Sequence, residues 1–113
     1  MTHKMKLSPD EMESLRSGSK SYELRLYDDF HSSLRVGDNI QFSNTQNPRD
    51  RISARILQLL VSKNFTELFK KMPAALCGCG FNPTGTSAEE LDTIYPMSEQ
   101  EKWGVVGIRL EVL

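Results

Sequence analysis

With 113 residues, 38% of them hydrophobic and 26% charged, the chain has room for one domain, residues 1–113, with a core of its own. A formal net charge of −1 excludes a protein that coats nucleic acid through many unspecific phosphate contacts, and leaves selective binding in a small pocket open. No stretch nears the roughly 18 apolar residues of a membrane span, and the amino terminus lacks the apolar region of a signal peptide, so a cytoplasmic location without a membrane partner is expected.

Met5 and Leu7 alternate with lysines, which predicts a short first strand. Ser8-Pro9-Asp10-Glu11 has the form of a helix start: a Ser cap, Pro in the first turn, and Glu three residues after the Ser. Leu7 and Met12 are spaced to clasp across that start, and Gly18 closes the helix as a left-handed cap. The chain then enters Gly18-Ser19-Lys20-Ser21-Tyr22-Glu23-Leu24-Arg25-Leu26-Tyr27. Alternate side chains of a strand share a face. With Tyr22, Leu24 and Leu26 toward the core, Glu23, Arg25 and Tyr27 line the opposite side and Lys20 stands at its mouth. Such a face is ordinarily the wet side of a half-exposed sheet. It is also a candidate site for a polar ligand.

Residues 28–35 read as a loop or single helical turn with Phe30 and Leu34 tucked inward. His31 has no evident partner there, so a solvent-facing ring is expected rather than a proton carrier. Val36-Gly37-Asp38 is a tight turn, residues 39–44 a strand with Ile40 and Phe42 inside, and residues 45–50 turn chemistry. A long strand follows over residues 51–62. Its apolar phase starts on Ile52, Ala54 and Ile56 and moves to Leu57, Leu59 and Val61. The slip predicts a bulge near Ile56–Gln58, a device that helps a small sheet curl.

Asn64-Phe65-Thr66-Glu67 caps a second helix whose Phe65, Leu68, Phe69 and Met72 form a core stripe, ended by Pro73. Cys77 and Cys79 are separated only by Gly78, too close for an unstrained disulfide. The two histidines, His3 and His31, are remote from them, so reduced thiols and no metal are expected. The Gly-rich run Leu76–Thr86 lacks the phosphate-loop pattern and reads as an irregular flap beside the site. Ser87-Ala88-Glu89-Glu90 and Ser98-Glu99-Gln100-Glu101 each repeat the capping box, the first opening a helix with Leu91 and Ile94, the second ending at Gly104. In Val105–Leu113, Val106, Ile108, Leu110 and Val112 alternate toward the core with Arg109 and Glu111 outside. Such a terminal strand is expected to pair inside the sheet.

The pattern Gly18-x-Lys20-x-x-Glu23-x-Arg25 resembles the GxKxxExR signature of ASCH domains, small relatives of the PUA domain. Val36-Gly37-Asp38 and the closing Tyr95…Glu99…Lys102-Trp103-Gly104-Val105-Val106-Gly107-Ile108 extend the likeness over nearly the whole chain. The resemblance implies an α+β fold: a PUA-like curled, mostly antiparallel β-barrel with short helices at its rims and a cleft beside the GxKxxExR strand. It implies RNA, a nucleoside or a nucleotide as partner, and no cofactor. The ligand-binding set is then Lys20, Tyr22, Glu23, Arg25, Tyr27, Tyr95 and Trp103.

One branch of the family hydrolyses the acetyl amide of 4-acetylcytidine with a Lys, a Thr and a Glu; another is associated with RNA cleavage. Lys20 matches that Lys and Arg25 the accompanying Arg. Glu23 stands where the Thr would be, however, and no carboxylate occurs in the Cys77–Thr86 region where the later Glu is expected. Glu89 or Glu90 would have to substitute from the helix start. A binding module is therefore the first reading. Amide hydrolysis with Lys20 and Glu23 as catalytic residues is the alternative, and an inert Glu23–Arg25 pair the third.

Overall fold

The computed structural model describes residues 1–72 and 88–113. The expectations for Cys77, Cys79, the Gly-rich flap and the Ser87 cap lie outside the described residues.

Strands β1 (Thr2–Leu7), β2 (Tyr22–Leu26), β3 (Asn39–Asn44), β4 (Asn47–Ser62) and β5 (Val105–Val112) form one sheet in the order β1-β3-β4-β5-β2. β1 runs parallel to β3, and the other three pairings are antiparallel. The two edge strands, β1 and β2, are not joined by a ladder, so the curled sheet is a half-barrel with a seam rather than a closed barrel. β1 starts before Met5 because His3 continues its inward alternation. β4 reaches back to Asn47, which shortens the expected turn to Thr45–Gln46; its ladder with β3 is irregular at Ser43/Asn44, next to Pro48, which has no N–H to give.

The phase slip in β4 is a bulge: its register against β5 shifts between Ile56 and Gln58, with Leu57 as the extra residue. Before it, Ile52, Ala54 and Ile56 point to the inner face, where Met5, Leu7, Ile40, Phe42, Val106, Ile108 and Leu110 form the first core. After it, Leu59 takes that side and Leu60 turns outward to a second core. One inserted residue thus lets a single strand serve two cores.

Helix α1 (Pro9–Ser17) links β1 to β2 and completes the first core with Met12 and Leu15. Its ends form as the sequence dictates: the Glu11 N–H donates to Ser8 Oγ at 3.3 Å, and Gly18 adopts φ 89°. Helices α2 (Phe65–Leu68) and α3 (Ala88–Ile94) build the second core on the outer face, where Phe65, Leu68, Met72 and Leu91 meet Tyr22, Leu24 and Val105. Helix α4 (Met97–Trp103) starts one residue before Ser98, so Ser98 is not its cap. The Pro96 carbonyl instead accepts from the N–H groups of Glu99 and Gln100, at 2.9 and 3.1 Å. Gln100 is fully buried and fixes three helices together: its Oε1 accepts from the Phe65 N–H at 3.2 Å, and its Nε2 donates to Asp92 Oδ1 at 2.8 Å and to the Tyr95 carbonyl at 2.7 Å. Two smaller expectations fail: Phe30 and Val112 are exposed, at a turn and at a strand end, while Leu34 is buried as foreseen.

Candidate functional site

The end of α1 sets Lys20. Ser14, in the last turn, accepts from the Lys20 N–H at 3.0 Å and from Ser19 Oγ at 3.2 Å, which folds the chain back under the helix. The Lys20 side chain is thereby buried, with Nζ 3.3 Å from Glu23 Oε1 and 4.0 Å from Glu11 Oε2. Glu23 lies opposite Ile108 on the inner face of β2 and is 3% exposed. Its Oε2 accepts from Arg25 Nη2 at 2.9 Å, and its Oε1 accepts from the Leu24 N–H at 3.1 Å. The same Arg25 nitrogen donates to the Lys6 carbonyl on β1 at 3.1 Å. That bond crosses the seam, so one guanidinium ties together the two sheet edges that no ladder joins.

Burial pushes the Glu23 carboxyl up, but the charges of Lys20 and Arg25, the Arg25 hydrogen bond and the Leu24 N–H outweigh it and hold Glu23 below the usual carboxylate range. For Arg25, burial works against the charge, and Glu23 more than restores it. The Tyr95 phenol is pushed up, first by burial; the Arg25 charge opposes the shift and Glu23, Glu11 and Asp28 add to it. Tyr95 therefore brings a neutral hydroxyl into the field of the cluster, from the joint between α3 and α4.

The residues expected at the site divide. Lys20, Glu23 and Arg25 converge, and Tyr95 is electrostatically coupled to Glu23 and Arg25. Tyr27 packs half-buried against the first core, and its N–H donates to the Gly104 carbonyl at 3.0 Å. Tyr22 is on the outer face of β2, inside the second core. Trp103 lines a recess of about 560 Å³ to which Lys20, Glu23 and Arg25 do not contribute. The expectation of a wet face on β2 fails because both faces are covered, one by α1 and the inner core, the other by α2 and α3.

Glu11 is the residue that sequence reasoning missed. As part of the capping box it accepts from Ser8 Oγ at 3.1 Å through Oε1, and this leaves Oε2 toward Lys20. The box itself was the available signal. His31 is not solvent-facing: Nδ1 is 2.7 Å from Asp28 Oδ1, an oxygen that also accepts from the His31 N–H at 3.0 Å. His3 is buried, with Nε2 2.8 Å from Asp38 Oδ2. Glu89 and Glu90 are exposed on the first turn of α3. Among the described residues no group of three or more His, Cys, Asp or Glu side chains is arranged to hold a metal ion, and no helix is long and apolar enough to cross a membrane.

No protein-family model matches the sequence, and no curated protein matches it. Solved structures do. The crystal structure of hypothetical protein PH0355 superimposes with a TM-score of 0.81 at 26% identity, with 100% of each chain covered. The solution structure of PF0455 from Pyrococcus furiosus gives 0.69, also at 26% identity, covering 100% of this chain and 98% of that one. The crystal structure of ASCH from Zymomonas mobilis gives 0.67 at 13% identity over 97% of this chain and 66% of its own. At that identity the likeness is one of architecture, an α+β curled mixed sheet with short helices at its rims. The fold of this chain is therefore that of the ASCH domain, the family its Gly18-x-Lys20-x-x-Glu23-x-Arg25 motif resembles.

Proposed function

We propose that this protein binds RNA or a nucleoside where Lys20, Glu23 and Arg25 meet. The observation that carries this reading is the withdrawal of two cations and a carboxylate from water at the seam, with the Arg25 side chain still 25% exposed. Desolvation offsets the attraction within a buried ion pair, so such a cluster is a poor device for stability and a good one for recognition. The outer edge of the Arg25 fork suits a base edge or a phosphate. Glu11 and Glu23 are acceptors for a base amine, and the Tyr95 hydroxyl adds a donor. The fold likeness to an ASCH structure supports a nucleic-acid ligand over other polar molecules. Titration with short single-stranded RNA and with free nucleosides tests the reading. Arg25→Ala is expected to weaken binding at least about tenfold, the scale of one lost charge-assisted hydrogen bond. Equal affinity in the two proteins removes this cluster as the site.

One observation favours hydrolysis of a modified nucleoside such as 4-acetylcytidine as a second reading. Glu11 Oε2 and Lys20 Nζ stand 4.0 Å apart, a carboxylate to accept a proton from water beside a cation for a developing oxyanion. Incubation with 4-acetylcytidine decides it: release of cytidine no faster than with Lys20→Ala leaves binding as the only activity.

A further inference from the structure

The Trp103 recess is not part of the charged cluster, but hydrogen bonds tie its lining to the elements that carry the cluster. The Gly104 carbonyl accepts from the Tyr27 N–H at 3.0 Å, which fixes the recess to the end of β2. Gln100, in its wall, donates to the Tyr95 carbonyl at 2.7 Å, and Tyr95 lies in the field of Arg25 and Glu23. The lining of the recess is thus bonded to the end of β2, which carries Glu23 and Arg25, and to Tyr95.

Its volume of about 560 Å³ suits a ligand the size of one nucleotide. Its wall is rigid because every polar atom of the Gln100 side chain is engaged. Its chemistry is also specific. Lys63 and Lys102 are exposed, and among the described residues neither is paired with a carboxylate. The Lys102 ammonium instead rests over the Trp103 ring, 4.9 Å from its centroid, a weak contact that an anion readily displaces. Glu101 adds an acceptor for sugar hydroxyls. An aromatic face, two uncompensated cations and one carboxylate are the complement of a base, a phosphate and a ribose.

We infer that the Trp103 recess takes a second nucleotide of the same strand, its base on the indole and its phosphate between Lys63 and Lys102. The ligand is then a single-stranded oligonucleotide of two or more residues rather than a free nucleoside. This rests on the binding reading above and extends it.

Trp103 is the chain's one tryptophan, so its fluorescence reports the recess alone. Cytidine 5′-monophosphate and a single-stranded RNA hexamer are titrated into the wild type, Lys63→Ala, Lys102→Ala and Arg25→Ala, with the indole signal and the affinity read together. The hexamer is expected to quench Trp103 and to bind at least about tenfold more tightly than the mononucleotide, the scale of one stacked base. Lys63→Ala and Lys102→Ala are expected to lower that ratio severalfold and to reduce the salt dependence of hexamer binding by about one counterion each. Both lysines are surface residues, so folding is not at stake. A ratio unchanged in both lysine variants, with no indole response, overturns the recess even where Arg25→Ala shows the cluster to be used. Quenching and lysine dependence that persist while Arg25→Ala binds like wild type uphold the recess and sink the cluster. Absence of binding by either ligand overturns both.

Discussion

Glu23→Gln preserves the shape of the side chain at the centre of the cluster and removes its charge. The carboxylate it replaces is 3% exposed, with Lys20 at 3.3 Å and Arg25 at 2.9 Å. The amide leaves both cations in a site with little water, and an NH₂ group must face one of them. Removing one partner of a buried ion pair typically costs about 3–5 kcal/mol. Arg25 is partly exposed and can turn toward water, which sets the expectation at the lower end, about 3 kcal/mol, or a fall in Tm of roughly 10 °C for a domain of this length. The pH profile follows from the same charge. The folded Glu23 carboxyl lies below its unfolded value, so its stabilisation is complete above that value, about 4.3, and is lost as pH falls through the folded one. The gap between wild type and Glu23→Gln should therefore be full at about pH 7 and shrink below about pH 4. Urea unfolding of both proteins across that range reads it. Equal midpoints at neutral pH, or a gap that is as wide in acid, would show that no buried anion stands at the centre of this site.

Four further outcomes follow from the geometry. Arg25→Lys keeps the charge on a shorter, more flexible side chain whose ammonium falls short of the position from which Arg25 Nη2 meets both Glu23 and the Lys6 carbonyl, so a loss of about 1–2 kcal/mol is expected, with hydrogen exchange rising along β1; unchanged exchange there would mean the seam is closed by other means. Ser8→Ala should cost about 1 kcal/mol in thermal melts, and a variant as stable as wild type would show the cap to be idle. Gly104→Ala places a Cβ 3.0 Å from the Ser62 carbonyl oxygen at φ +75°, so a drop of about 2 kcal/mol or more is expected, and a neutral substitution contradicts the turn as described. Deleting Leu57 removes the unpaired residue and lets Gln58 follow Ile56 with its partner Arg109 and its face unchanged; near-ultraviolet circular dichroism should keep its native signal, and loss of it would mean that Leu57 is not the extra residue of the slip.

What was legible in the sequence was local. The Ser8 cap, the Gly18 terminus and the Leu57 slip each depend on a few adjacent residues, and each formed where the pattern put it. The motif likewise led to the fold. What was not legible depended on partners far along the chain. Alternation along β2 separates Tyr22 and Leu24 from Glu23 and Arg25, but it cannot say that helices more than forty residues away cover the outer face while the other turns inward; that burial is what makes the cluster more than a wet edge. The partner of His3 is Asp38, across a parallel pairing that no hairpin signal announces. The capping box at Ser98 misled because Pro96 and the buried Gln100 fix the cap of α4 two residues earlier. Glu11 was read correctly as a cap and its second oxygen was overlooked, since a role in capping does not exhaust a carboxylate.

The balance of charge bears on what the cluster selects. Lys20 and Arg25 stand against Glu11 and Glu23, two cations and two carboxylates, so the site as a whole holds little net charge to attract a phosphate. What it does hold is donors and acceptors at fixed positions in a site poor in water, where an unmet hydrogen bond is costly and a wrong base edge is rejected. The Trp103 recess has the opposite character, with two cations that no described carboxylate neutralises. A chain of net charge −1 can thus engage an anionic polymer without a basic surface. On this reading the phosphate is met by Lys63 and Lys102 and the base by Glu23, Arg25 and Tyr95. Discrimination and attraction are then carried by two different sets of residues, and a substitution in either set should change one property and spare the other.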